Sequence, residues 1–306
     1  MKAVICSKYG EPGVLKLLEV DKPVPKADEV CMKIVATAVT ASDCIVRSGK
    51  VSILFWIPMR LAIGLTRPRQ PILGIPFAAE IDSVGSGVTK FQPGEQVFGW
   101  DLFPDFGAYA EFKCLSDKGM IALKPTNIGF EEAAAIPFGG LLAMSVLKKA
   151  NDLGGKKILV YGASGAVGTS AVQLASYFGA EVTGVCSGAN VALVRSLGAS
   201  HVIDYTKEDF TLNNVRYDII MDAVGKEKFT LPKSAYRNSL AAKGKFLSVD
   251  GGAPKIGIDD LMLLKTLVET ARFKPVIDRT YALEQIVEAH TYVDQGHKKG
   301  NVVIKI

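Results

Sequence analysis

The segment that most constrains the fold is residues 157–178, where an apolar run, a glycine-rich turn and a helical pattern follow one another. Lys157–Tyr161 predicts a buried strand, because its Ile-Leu-Val core contains no polar residue. The next residues, Gly162-Ala-Ser-Gly-Ala-Val-Gly168, predict a tight turn, and Ala166–Phe178 predicts a helix. A strand, a turn and a helix in this order begin a βαβ unit, so we expect a parallel sheet.

Small residues in this turn are typical of dinucleotide binding. Gly165 and Gly168 occupy the second and third glycine positions of the dinucleotide fingerprint, with Ala163 in the first. The backbone there must approach a pyrophosphate closely, and the helix N-terminus must offer its free N–H groups to the anion. A purely structural turn is the alternative. The residues that we expect to hold the phosphates are Gly162, Ala163, Ser164, Gly165, Ala166 and Val167.

The residues after the second strand of this unit indicate which nucleotide binds. An NAD site usually has Asp or Glu there to hold the ribose hydroxyls, whereas here Ser187 follows Cys186. Ser187 leaves room for a 2′-phosphate, and Asn190, Tyr205 and Arg195 are polar or cationic groups able to reach it. We therefore expect NADPH as the cofactor. The alternative for Arg195 is a solvent-facing position on its helix.

The parts of the chain on either side of residue 122 differ in character. Upstream, short runs such as Glu29–Val39 and Ala108–Phe112 predict strands between turns rich in Pro and Gly. Downstream, strands and helices alternate, which predicts an α/β fold. The length of 306 residues also fits about two domains at roughly 150 residues each.

Composition excludes several classes of protein. The net charge of +5 comes from 36 basic and 31 acidic residues without a basic stripe, so we expect no nucleic-acid partner. Five scattered cysteines exclude a disulfide framework and fit a reducing, cytoplasmic location. Met1–Cys6 lacks a targeting pattern. Residues 51–69, with Trp56 and Arg60, leave contact with a membrane surface open as an alternative.

Motifs along almost the whole chain carry a resemblance to a known superfamily. They lie at residues 43–49, 84–99, 107–111, 131–137, 162–168, 197–205, 222–225 and 300–305. On these motifs the chain resembles the medium-chain dehydrogenase/reductase superfamily, in its zinc-free quinone oxidoreductase-like branch.

The resemblance implies a Rossmann doubly wound parallel sheet inserted into a GroES-like β-barrel domain. We expect the GroES-like substrate domain at residues 1–122 plus 271–306, and the Rossmann domain at 123–270. It also implies hydride transfer in the cleft between the two domains. Further cofactor contacts that the resemblance implies are Cys186, Ala223, Val224, Val249 and Asp250.

The chain departs from the zinc alcohol dehydrogenases of the superfamily. Those enzymes have Cys where Thr40 stands, a His-Glu pair where Ile75 and Pro76 stand, and a four-cysteine lobe after Gly99. The three histidines of the chain have no ligand partner at useful spacing, and we expect them at the surface; they are His201, His290 and His297. We therefore predict no metal.

Without a metal to polarise an alcohol, we expect reduction of a quinone or of an α,β-unsaturated carbonyl. Thr40 is the candidate donor to the carbonyl oxygen, although both Thr40 and Leu142, which the resemblance places at the nicotinamide cleft, differ from close relatives, where these positions are often Asn and Thr. Asp43 is a second candidate catalytic residue, with ordering of the local backbone as its alternative. Candidate walls for the acceptor, each with core packing as its alternative, are Trp56, Phe77 and Phe106.

Two further alternatives follow from the departures. A non-catalytic NADPH-binding protein of the same fold would keep the phosphate turn while the cleft changed. The direct connection Ala253–Asp259 replaces an apolar element through which relatives commonly pair, which weakens the expectation of a homodimer.

Overall fold

The computed structural model describes residues 1–50, 60–101, 105–225, 229 and 233–306. The chain divides into one compact unit of residues 1–138 with 277–306 and another of residues 139–276. The sequence analysis placed the boundaries at 122/123 and 270/271.

The described strands, in chain order, are β1 (Lys2–Cys6), β2 (Leu15–Glu19), β3 (Glu29–Val39), β4 (Pro76–Val84), β5 (Gln96–Trp100), β6 (Phe112–Ser116), β7 (Ile121–Leu123), β8 (Lys157–Tyr161), β9 (Glu181–Cys186), β10 (His201–Asp204), β11 (Tyr217–Asp222), β12 (Leu240–Ser248), β13 (Ile277–Ala282) and β14 (Asn301–Lys305). The described α-helices are α1 (Ala41–Ser48), α2 (Phe130–Ala134), α3 (Pro137–Leu147), α4 (Ala166–Tyr177), α5 (Val191–Ser196), α6 (Lys233–Asn238), α7 (Ile258–Glu269) and α8 (Ile286–Asp294).

The first unit is built on a mixed sheet. In the described part of the chain its strand order is β13-β14-β3-β4-β5-β7, and β6 pairs with the half of β3 that β14 leaves open. Alternate residues of β3 point to opposite faces, so Val30, Met32 and Ile34 pack in the core while Lys33 is exposed. Helix α2 packs on β3 and β4, which places residues 130–134 in this unit.

The second unit is a parallel sheet of order β10-β9-β8-β11-β12 within the described residues. The chain runs from β8 outward to β9 and β10, then returns to β11 and β12 on the other side. The strand order therefore reverses between β8 and β11, and ligands of such sheets bind at the carboxyl ends of the strands beside that point. This confirms the predicted α/β fold with a doubly wound parallel sheet.

Two expectations about secondary structure, one for residues 108–112 and one for the connection after Gly252, are compared with the strands observed. The run Ala108–Phe112 was predicted as a strand, but the strand begins at Phe112 and only Ala110 forms an isolated bridge, to Ala3. The physical reason is that its backbone pairs with two different segments: the N–H groups of Ala108 and Tyr109 donate to the carbonyls of Gly74 and Leu73, and that of Glu111 donates to the carbonyl of Lys2. Residues 253–257, all described, contain no strand, and β12 is an edge of its sheet within the part of the chain that the structure describes.

One helical stretch among the described residues, Phe130–Ala150, is long and apolar enough to cross a membrane. Most of it is buried inside the fold, as in the core helix of a soluble protein.

Candidate functional site

The glycine-rich turn after β8 has the backbone conformation that its sequence requires. Gly162 has a φ of +80°, and a Cβ there would lie 2.2 Å from the Cγ1 atom of Val224. The N–H groups of Gly162 and Ala163 both donate to the carbonyl of Val185 in β9, at 3.1 and 2.9 Å. The turn is thus anchored to the neighbouring strand, and position 162 accepts only glycine without rearrangement.

The two other glycines of the turn have different roles. A Cβ at Gly168 would lie 2.0 Å from the carbonyl oxygen of Gly162, so this glycine lets α4 approach β8. Gly165 precedes α4 as its N-cap and offers no side chain to the helix N-terminus. A Cβ at Gly165 would meet nothing closer than the Gly162 carbonyl oxygen, at 3.6 Å. Open space at Gly165 and the unsatisfied N–H groups of the first turn fit a bound pyrophosphate.

The carboxylate of Asp222 joins the ends of β11 and β12 beside this turn. It is fully buried; its Oδ1 atom accepts hydrogen bonds from the N–H groups of Val224 and Gly225, at 2.9 and 3.0 Å. Its Oδ2 atom accepts one from the Ser248 hydroxyl at 2.8 Å, and the N–H of Asp250 donates to the same hydroxyl. Burial raises the pKa of Asp222, and these hydrogen bonds oppose that shift.

This bonding places four predicted cofactor contacts at the carboxyl edge of the sheet. They are Ala223, Val224, Val249 and Asp250. Asp222 and Ser248, which organise these loops, were not among the site residues predicted from the sequence. The available signal was a carboxylate at the end of a buried strand, where a partner is required.

A cluster of small polar side chains lies at the end of β9. The Asn190 amide donates to the hydroxyl of Ser164 in the glycine-rich turn, at 3.3 Å, and to the hydroxyl of Ser187, at 3.1 Å. Asn190 is largely buried, and the preceding Cys186 is fully buried. Burial raises the pKa of the Cys186 thiol to about 11, so it stays neutral. The structure therefore brings together residues that the sequence analysis selected separately.

A carboxylate and a cation missed by the sequence analysis lie on the adjacent strand end. Asp204 pairs with Cys186 across β10 and β9, and its Oδ1 atom accepts from the N–H and hydroxyl of Thr206, at 3.0 and 2.7 Å. The pKa of Asp204 is lowered, chiefly by the Thr206 hydroxyl. Lys207 lies 3.8 Å from its Oδ2 atom, and Tyr205 is half exposed beside it.

Thr40 and Asp43 form the N-terminal cap of α1. The Thr40 hydroxyl donates to the Oδ2 atom of Asp43 at 2.6 Å, and the Asp43 N–H donates back to that hydroxyl at 3.1 Å. The Oδ1 atom of Asp43 accepts from the N–H of Gly74 at 3.0 Å. Both residues are buried, and burial raises the pKa of Asp43 to about 6 against the effect of these hydrogen bonds. This geometry gives both residues a structural role; their catalytic role stays a prediction.

Comparisons with known proteins agree with this geometry. Residues 26–152 match the alcohol dehydrogenase GroES-like domain, and residues 166–273 and 253–304 match the zinc-binding dehydrogenase family. The 2-methylene-furan-3-one reductase of Solanum lycopersicum is 34% identical over 99% of this chain and 79% of its own length. The chain belongs to the medium-chain dehydrogenase/reductase superfamily, in its quinone oxidoreductase-like branch.

Two further relatives of this superfamily member are also named as oxidoreductases. The chloroplastic NADPH-dependent alkenal/one oxidoreductase of Arabidopsis thaliana is 31% identical over 99% of this chain and 79% of its own length. The solved structure of the quinone oxidoreductase from Coxiella burnetii superposes with a TM-score of 0.84 at 27% identity, over 100% of this chain and 99% of that one. The chain is thus an oxidoreductase, and its relatives support a nicotinamide cofactor.

Arg195, a candidate for the nucleotide site from the sequence, lies at the opposite edge of the sheet. Arg195 lines a cavity with Lys157, Glu181 and His201, which begin β8, β9 and β10. A crossover helix runs antiparallel to its strands, so the last turn of α5 returns to the amino edge of the sheet, away from Ser187. Arg195 was therefore a wrong candidate for the nucleotide.

The three aromatic residues predicted as walls of the acceptor site have different outcomes. Phe77 is fully buried in the core of the first unit, and so was a wrong candidate for a wall of the acceptor site. Phe106 is buried and its carbonyl accepts from the Lys113 ammonium, whereas Trp56 lies outside the described residues. Leu142 is partly exposed on α3. Arg60, from the candidate membrane surface, stacks on the ring of Tyr9 at 3.6 Å.

A histidine predicted at the surface and a metal position of the zinc relatives are both buried. His290 is fully buried, not at the surface as predicted, and its Nδ1 atom faces Arg47 at 3.2 Å. Ile75 is fully buried and apolar. No group of three or more His, Cys, Asp or Glu side chains with the geometry to hold a metal ion occurs in the part of the chain that the structure describes.

Proposed function

We propose that this chain is an NADPH-dependent reductase of quinones or α,β-unsaturated carbonyls that works without zinc. The observation that carries the cofactor part is the cluster of Ser164, Ser187 and Asn190 beside the glycine-rich turn. NADPH, when bound, supplies the hydride. The chain's own residues bind and orient that cofactor.

The groups around Ser187 favour a phosphorylated ribose. An NAD site needs a carboxylate with free oxygens for two ribose hydroxyls. The carboxylate present, Asp204, instead accepts from Thr206, and its Oδ2 atom lies against Gly188, where a Cβ would be 2.5 Å away. Donors that remain available are the hydroxyls of Ser187 and Tyr205 and the ammonium of Lys207, which suit a dianionic 2′-phosphate.

The residues at the metal positions of zinc relatives support a metal-free reaction. Ile75 has no metal-binding side-chain atom, and Pro76 begins β4. The Thr40 hydroxyl already donates to Asp43. A hard or borderline cation would find none of the thiolate, imidazole or carboxylate ligands it requires at these three positions.

The acceptor class follows from the absence of groups able to activate an alcohol at those positions. Oxidation of an alcohol needs its proton removed, whereas a quinone or an enone is already electrophilic. Relatives named for enone and quinone reduction support this assignment. Homodimer formation and a cytoplasmic location stay predictions, and contact with a membrane surface stays an alternative.

An acceptor screen tests this function. NADPH oxidation is followed spectrophotometrically with 1,4-naphthoquinone and with but-3-en-2-one as acceptors. In the reverse direction, NADP⁺ reduction is followed with benzyl alcohol as the donor. We expect turnover of at least one of the first two and none of the alcohol. NADPH binding without turnover of any acceptor would favour the non-catalytic alternative, and faster alcohol oxidation would contradict the proposal.

A further inference from the structure

A pair of cysteines lies outside the nucleotide site, on the first unit. Cys31 in β3 and Cys114 in β6 are direct partners across an antiparallel ladder, and both are free thiols. Partners in a ladder project to the same face of the sheet. The two sulfur-bearing side chains are therefore neighbours although 82 residues lie between them in the sequence.

The ladder places this pair at the closer of its two spacings. The N–H of Ile34 donates to the carbonyl of Glu111 at 2.9 Å, so these residues form a hydrogen-bonded pair. Hydrogen-bonded and non-hydrogen-bonded pairs alternate, which makes Cys31 and Cys114, three positions along, a non-hydrogen-bonded pair. The Cα atoms of such pairs are about 4.5 Å apart, within the range of about 4.4–6.8 Å that a disulfide needs.

The pair lies on the outer face of the sheet, under a short loop. The core residues of β3 are Val30 and Met32, on the opposite face. Cys31 is fully buried and its thiol donates to the Pro23 carbonyl at 3.7 Å, whereas Cys114 is partly exposed. A small oxidant therefore reaches the pair from the side of Cys114.

The surroundings also favour a thiolate at Cys31. The pKa of Cys31 is lowered, chiefly by a hydrogen bond from Cys114 and further by the Lys22 ammonium, against the effects of burial and of the Asp82 carboxylate. Lys22 is held over the Phe112 ring at 4.0 Å. Phe112 lies two residues before Cys114 and so shares its face.

We propose that Cys31 and Cys114 are a redox-active pair that forms a reversible disulfide when hydrogen peroxide oxidises the chain. The Cys31 thiolate attacks one peroxide oxygen, the O–O bond breaks, and Cys31 becomes a sulfenic acid as hydroxide leaves and takes up a proton to form water. The Cys114 thiol then displaces the sulfenic oxygen as a second water. The two thiols supply the two electrons that reduce hydrogen peroxide.

Peptide mapping of the full-length chain tests this proposal. Trypsin releases Cys31 in residues 27–33 and Cys114 in residues 114–118, because lysines flank both. After hydrogen peroxide and blocking of the remaining thiols, we expect these two peptides to be joined and to separate on reduction with dithiothreitol. The matched control Cys6→Ser, which replaces a buried cysteine on β1, should leave the crosslink unchanged.

A second arm traps the intermediate. In Cys114→Ser, the sulfenic acid has no resolving thiol, so dimedone should label residues 27–33 at least about tenfold more than in the unchanged chain. Folding of each variant is checked by circular dichroism. Crosslinks that involve other cysteines, or no crosslink together with no dimedone label at Cys31, would overturn the proposal.

Discussion

The hydroxyl of Ser248 donates a 2.8 Å hydrogen bond to the buried carboxylate of Asp222, and so ties the end of β12 to the end of β11. The same carboxylate holds the N–H groups of Val224 and Gly225. Two loops at the carboxyl edge of the parallel sheet thus depend on one side chain. Cofactor binding depends on this link because these loops carry predicted cofactor contacts.

Ser248→Ala should therefore weaken NADPH binding. The substitution leaves one oxygen of buried Asp222 without its donor and frees the loop after β12, so we expect Kd to rise about 5- to 10-fold. Ser239→Ala is the matched control, because the Ser239 hydroxyl is buried but has no hydrogen-bond partner within the described residues. Isothermal titration should show unchanged binding for the control; equal losses in both variants would contradict this role of Ser248.

Alanine substitutions at Gly162 and Gly165 should have different effects, the first on folding stability and the second on NADPH binding. In Gly162→Ala the new Cβ would meet Val224 at 2.2 Å in a left-handed conformation, so we expect loss of folding stability. In Gly165→Ala the protein itself offers room, but the methyl group occupies the space left for the pyrophosphate. We expect a melting temperature within about 2 °C of the parent and NADPH affinity lowered at least about tenfold. Unchanged affinity of folded Gly165→Ala would argue against phosphate binding at this turn.

Lys207 should contribute to the preference for NADPH. A charge-assisted contact is worth roughly 1.5–3 kcal/mol, and exposure of Lys207 to solvent reduces this, so we expect Lys207→Ala to cost about tenfold in NADPH affinity and little in NADH affinity. Ser187→Asp should weaken NADPH more strongly, by charge repulsion. Arg195→Ala, at the opposite edge of the sheet, is the control and should bind both nucleotides like the parent. Parallel losses for NADPH and NADH would show that the 2′-phosphate is not recognised here.

Much of this nucleotide site could be predicted because its signals are local. The strand, the turn and the helix at residues 157–178 are adjacent in sequence, and their spacing alone indicated both structure and ligand. The role of Asp222 could not be read in this way, because its partner Ser248 is on another strand and only the strand order brings them together. Arg195 was misplaced for a similar reason: its position depends on the direction of α5, which sequence distance from Ser187 does not show.

His290 should make the first unit less stable in mild acid. Burial lowers its pKa from 6.5 to about 3, with the Arg47 guanidinium adding to the shift. The unfolded chain therefore binds a proton that the folded chain does not. The contribution of neutral His290 to the free energy of unfolding is therefore fully present above about pH 6.5. It is lost as the pH falls towards 3, by up to about 1.4 kcal/mol per pH unit.

Denaturant unfolding at several pH values, compared between the parent and His290→Gln, isolates this contribution. We expect the glutamine variant to show a shallower fall in the free energy of unfolding between pH 6.5 and 4. The control His201→Gln removes an exposed histidine and should follow the parent. Parallel curves for the parent and His290→Gln would contradict the assignment.

Thr40 offers a test of structure against catalysis. Thr40→Val removes the hydroxyl that caps α1, and we expect the free energy of unfolding to fall by about 1–2 kcal/mol. Thr40→Ser keeps the hydroxyl and should stay close to the parent. The predicted catalytic role requires this hydroxyl to turn from Asp43 to the acceptor oxygen, and its loss in folded Thr40→Val would then lower kcat at least about tenfold. We expect that fall; unchanged kcat with lowered stability would limit Thr40 to capping.

Hydride transfer to an electrophilic acceptor without zinc is tested most directly with NADPH deuterated at the carbon that carries the hydride, but-3-en-2-one as acceptor, and protein stripped of metal with a chelator. Mass spectrometry of the product should show deuterium at the carbon β to the carbonyl, at the same rate before and after stripping. Product without deuterium, or transfer that stops on stripping and returns only with added zinc, would contradict the account.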